Sequence, residues 1–156
     1  MAINGKMYSS GFQRSLYIDP RFVSAVQANQ NLETYPEAVR AFIASFPLLQ
    51  DWPECRLLFL NLLEQESAQN LRLPAVCALA VGGEAHNAVP VSAAWAALNL
   101  AGHLMDAVQD KDEWLLQVVS SPAEAINYFA GLIFLAFHFL EAIPEREKAC
   151  QVKALF

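Results

Sequence analysis

Charge is what this chain has least of. Only 17% of its residues are charged, against about 25% in ordinary soluble domains. Its apolar share, 55%, is correspondingly high. Too few charges remain to cover the surface of a sphere. Either the core is unusually large, or an apolar face is covered by a partner or by further chain. Basic residues are scarcer than acidic ones, 10 against 16, giving a net charge of −6. No basic cluster exists, which excludes ordinary nucleic-acid binding. Cysteine is also scarce. Cys55, Cys77 and Cys150 are far apart and odd in number. That excludes a disulfide framework and a zinc site, and fits a reduced cytoplasmic protein.

Other absences narrow the chemistry. There is no Gly-x-Ser-x-Gly, no glycine-rich phosphate loop, no His-Glu-x-x-His and no cysteine pair. No nucleophile–base pairing is visible, so no catalytic residue is assigned. Alternating β patterns, Asn-Gly hairpin turns and internal repeats are missing as well. The N-terminus shows no signal-peptide run. The most apolar segment, Ala125–Leu140, is 16 residues long and holds Asn127 and His138. That is shorter than the roughly 20 residues of a membrane span, so it reads as a buried core helix.

What is present is helical. The 156 residues suit one domain. Residues 1–20 show no sustained period and are expected to be irregular; 21–156 form an all-α antiparallel bundle with short, proline-marked turns. Helices are expected over Arg21–Asn29, Pro36–Phe46 (closed by Pro47), Pro53–Gln69, Leu73–Val81 (started by Pro74 and ended by Gly82-Gly83, one of which takes a positive φ), Pro90–Asp112 and from Ser121 to about Ala142. Thr34-Tyr-Pro-Glu and Ser121-Pro-Ala-Glu carry the signature of a capping box. WLLQVV, after Glu113, is expected to pack back as a short turn. A last helix starts near Pro144 and is still amphipathic at Phe156. The chain, or its domain, is expected to continue further.

The Pro90–Asp112 segment organises the rest. Ser92, Asn99, His103, Asp106 and Asp110 are spaced 7, 4, 3 and 4 residues apart. At about 100° per residue these steps fall on one side of a helix. Two explanations stay open. The stripe is the wet edge of a surface helix, or it lines a cavity. In a cavity, Asp106 and Asp110, one turn apart, would repel each other unless a cation sat between them. Magnesium suits such a pair, because it takes one or two carboxylates and bridges to phosphates. His103 and Asn99 would then contact a ligand, or else bond a neighbouring helix. Asn127 belongs to a second stripe with Glu124, Gly131, His138 and Glu141, and has the same two possibilities. Phe129, Phe134, Phe137 and Phe139 are expected in the core, although such a set would also suit a hydrocarbon.

LPAVCALAVGG, a short loop, and PVSAAWAALNLAGHLMDAVQD together resemble the first half of polyprenyl diphosphate synthases. In that family an Arg-Pro segment leads through an apolar helix to Gly-Gly, and the next helix ends in Asp-Asp-x-x-Asp. AINYFAGLIFLAF is similar to the family's following helix. The resemblance spans roughly Leu71–Leu140. It implies the isoprenoid-synthase fold, a magnesium cluster and prenyl transfer from an allylic prenyl diphosphate. Asp106 and Asp110 match the outer aspartates and would be metal ligands; Asn99, His103 and Asn127 would contact substrate. Ala107 replaces the middle aspartate. Leu73 and Asn70 stand where the family has Arg and Lys, Ala130 where it has Asp, and its Arg-Arg pair is absent. The second aspartate-rich motif belongs to a half outside this sequence. A full site would therefore need further chain or another subunit, as in a homo-oligomer. The alternative is a non-catalytic interaction or oligomerisation module.

Overall fold

The structure is a computed structural model, and it describes residues 32–65, 67–113, 118–143 and 145–154. The expected irregular segment 1–20, the helix over 21–29 and the start of WLLQVV lie outside the described residues. Among the described residues every regular element is helical. These are α1 (Tyr35–Ser45), α2 (Pro47–Gln50), α3 (Pro53–Gln65), α4 (Ala68–Ala80), a 3-10 turn (Ala85–Ala88), α5 (Val89–Asp110), α6 (Pro122–Glu141) and α7 (Arg146–Lys153). The all-α expectation holds.

Most boundaries follow the proline and serine signals. Ser121 caps α6: the Glu124 N–H donates to its Oγ at 3.2 Å. The return bond goes one residue further out than expected, from the Ser120 N–H to Glu124 Oε2 at 2.7 Å. Gly82 takes φ +82°, so one glycine of the pair does turn the chain left-handed. Thr34 stands at the start of α1, but its side chain makes no capping bond.

Two expectations about prolines need correction. Pro47 does not merely close α1; it opens α2 after Phe46 adopts an extended conformation. Pro74 does not start a helix. It lies inside α4, which begins six residues earlier, where Ser67 accepts the Gln69 N–H. A proline in a helix removes one internal bond, and here the Ser67 cap and the apolar contacts of Leu71 and Ala75 outweigh that loss.

α5 and α6 form the most extensive helix pair. They run antiparallel, because Val91 near the start of α5 shares a groove with Ile143, just past the end of α6. Alanines line α5 where it is buried: Ala93, Ala94, Ala97 and Ala101. Small residues let neighbouring helices approach closely, and α1, α3 and α4 all pack against α5. The largest aromatic cluster surrounds Phe139 of α6, with ring centroids of Phe46, Phe42 and Phe59 at 4.7, 5.7 and 6.2 Å. A second contact fixes the other flank of α6. Trp52 stacks on Tyr128 at 5.6 Å and lies against Gly131, where any β-carbon would overlap the indole.

With α6 reaching 20 residues, length no longer separates it from a membrane span. By length and composition alone, α6 and the 85–110 helix both meet that criterion, with 39% and 56% of their most apolar windows buried in the bundle.

Candidate functional site

The polar stripe of α5 does not stay in one environment. Ser92 is fully buried and shares a 2.8 Å hydrogen bond with the Tyr35 hydroxyl of α1. Asn99 is half-buried, while His103, Asp106 and Asp110 are exposed. Ser92 and Asp110 lie 18 residues apart, a whole number of turns at about 100° per residue. The same side of α5 is therefore covered by α1 at one end and open to solvent at the other. Of the two readings, the exposure of Asp106 and Asp110 fits the wet edge of a surface helix. Two carboxylates one turn apart are tolerated there because water screens them. Asn127, on α6, is exposed too.

The second stripe also divides. Glu124 holds the start of α6, accepting from the Ser120 N–H and from the Tyr128 hydroxyl at 3.1 Å. Those bonds hold its carboxyl below the usual range. Burial, with Glu124 alongside, pushes Tyr128 up to about 12. Gly131 sits beneath Trp52. His138 Nδ1 and Lys153 Nζ contact the two oxygens of Glu141 at 3.0 and 2.9 Å. These partners, Lys153 first, lower the Glu141 carboxyl. Lys153 is on α7, so this cluster ties α7 to the end of α6. Ser92 and Glu141 thus join elements, whereas Glu124 caps the start of its own helix.

Two grooves flank the Gly83–Glu84 corner. One, of about 490 Å³, runs beside Tyr35, Ala38 and Leu79 and carries the Glu84–His86 pair at 3.3 Å. The other, of about 400 Å³, lies between α4, the start of α5 and α7, and is lined by Pro74, Val81, Val91, Ile143 and Val152. Both are open, and none of the five residues expected to bind metal or substrate lines either. No group of three or more metal-ligating side chains occurs among the described residues.

The surface feature that stands out lies on α6. Phe134 is 69% exposed, Ile126 46% and Phe137 37%, all facing outward. Between Glu124 and Glu141 the helix has no Asp, Glu, Lys or Arg. Of the four phenylalanines expected in the core, only Phe139 is fully buried. On α5, packed alongside, Trp95 is 40% exposed. The sequence signal was the shortage of charge, which implied a covered apolar face without locating it. The periodicity of α6 alone did not locate it, because the helix is apolar on every side of its narrow polar stripe.

No protein-family model matches the chain, and neither a curated protein nor a solved structure matches it.

Proposed function

We propose that the chain is a non-catalytic helical interaction module whose working surface is the outward face of α6. One observation carries this: Phe134, Ile126 and Phe137 stand in solvent on a helix face with no full charge. Exposed apolar patches of a few hundred Å² on soluble proteins commonly mark interaction sites. The three free cysteines fit a reducing, cytoplasmic setting. In extracts of the producing cell, the native protein is expected to sediment as a complex larger than the 17.3 kDa chain. Phe134→Glu should release it to the size of the free chain. Identical sedimentation of both proteins would reject the proposal.

Magnesium-dependent prenyl diphosphate binding is a second proposal, supported by the open pair Asp106 and Asp110. A hydrated magnesium ion can reach two exposed carboxylates one turn apart and bridge to a diphosphate. His103, one turn earlier, and the half-buried Asn99 lie beside that pair on α5. Calorimetric titration with magnesium and a prenyl diphosphate analogue tests it. Binding that disappears in Asp106→Ala supports it; absence of binding to the wild-type protein removes it.

A further inference from the structure

We infer that the groove between α4, the start of α5 and α7 binds a small organic cation, with an aliphatic body and a protonated amine at one end. None of the residues that line it belongs to the outward face of α6. This inference therefore stands or falls apart from the interaction-module proposal.

Shape is the first argument. The groove holds about 400 Å³, and small-molecule sites span roughly 300–1,000 Å³. Its walls come from separate elements. Pro74 and Ala78 lie on α4, Val91 on α5 and Val152 on α7, and Ile143 follows the end of α6. Val91, Ile143 and Val152 are each half-buried. Each rests on the bundle with one flank and offers the other to the groove. A body of a few carbons is thus enclosed from several sides, which no single helix face can do. No aromatic ring lines the groove among the described residues, so aliphatic contact and not stacking holds the ligand.

Charge identifies the other end of the ligand. Glu84 and Glu145 bring two carboxylates to the groove, and Asn87 adds an amide oxygen. Among the described residues no lysine, arginine or histidine lines it. Two nearby bases are directed elsewhere. Lys153 Nζ meets Glu141 at 2.9 Å, and His86, paired with Glu84, lines the neighbouring groove. An anion would meet two like charges here and no base to offset them. An ammonium group would meet carboxylate and amide oxygens, all of which accept hydrogen bonds. Both carboxylates are exposed, so the groove itself buries no charge. Solvated ion pairs are weak. The apolar walls therefore supply most of the affinity, and the carboxylates select the sign.

Calorimetric titration of the purified full chain with octylamine tests this, with octanoate and octanol as the anionic and neutral probes of equal length. Octylamine should bind at one site, about tenfold tighter than octanoate and several-fold tighter than octanol. Each methylene removed should weaken binding by up to about fourfold, so butylamine should bind far less tightly. Glu84→Gln combined with Glu145→Gln should weaken octylamine roughly three- to tenfold and narrow its lead over octanoate. Ala78→Phe fills the groove and should abolish binding of all three probes, with circular dichroism confirming that the variant remains helical. The glutamine pair, at exposed positions, keeps the test decisive if Ala78→Phe does not fold. Absence of octylamine binding at millimolar concentration would overturn the inference. Octanoate or octanol binding as tightly as octylamine would overturn it too. Octylamine binding unchanged in the glutamine pair would mark general adhesion to an acidic surface, and would likewise overturn it.

Discussion

Tyr35 and Ser92 show how a single polar contact can join two helices inside an apolar bundle. The Ser92 hydroxyl is fully enclosed in α5, and the 2.8 Å bond to Tyr35 gives it a partner. Tyr35→Phe leaves that hydroxyl without its partner and is expected to cost about 1 kcal/mol in denaturant unfolding at neutral pH. Burial also pushes Tyr35 from its ordinary 10.0 up to about 12. The folded state thus favours the neutral phenol. This contribution is complete below pH 10 and is lost as pH rises toward 12. Cys55, buried and raised to about 12, acts in the same direction. Unfolding free energy measured across this alkaline range should fall in the wild type and fall less in Tyr35→Phe. Gly131 is the other decisive residue. A methyl group there would overlap the Trp52 indole. Gly131→Ala is expected to destabilise the fold by roughly 1–3 kcal/mol, despite the better helix propensity of alanine. A thermal melt that rises in this variant would contradict the contact.

Among the elements, α6 was the most legible. Its cap, its first-turn proline and its length follow from Ser121, Pro122 and Glu124. Ser121→Ala should cost about 1 kcal/mol. The acid side follows from Glu124 and Glu141, both held below the usual carboxylate value of 4.5 by hydrogen bonds. A lowered folded-state value means that their stabilisation is present above pH 4.5 and is lost as pH falls through and below it. Melting temperatures should therefore drop on acidification, and less steeply in Glu124→Gln. Where expectation failed, tertiary packing overrode a local rule. Pro74 marks a helix start by its own chemistry, yet Ser67 and the burial of Leu71 extend α4 through it. The α5 stripe is a single line by periodicity, yet one end is covered by α1 and the other is not. Nothing in the spacing of Ser92, Asn99, His103, Asp106 and Asp110 encodes which neighbour lies above each residue.

For the whole molecule, composition was the most informative property. A chain with 55% apolar and 17% charged residues has more apolar surface than one small bundle hides. In the fold, that excess emerges on α6 as Phe134, Ile126 and Phe137, and elsewhere at Leu48, Leu57, Leu73, Val81 and Trp95. On the module proposal, a partner that binds this α6 face stabilises the folded chain by mass action. The melting temperature of the native complex should therefore exceed that of Phe134→Glu. The same measurement separates the two proposals. On the module proposal, millimolar magnesium leaves the melting temperature unchanged in both wild type and Asp106→Ala.

The indole of Trp52 has a consequence beyond the stability of its own contact. Because it occupies the notch at Gly131, α6 cannot roll about its long axis without expelling the ring. An inward-facing key thus sets the azimuth of the helix. Enlarging the notch residue would not only loosen the bundle; it would turn the outward face of α6, and Phe134 with it, relative to the helices beneath.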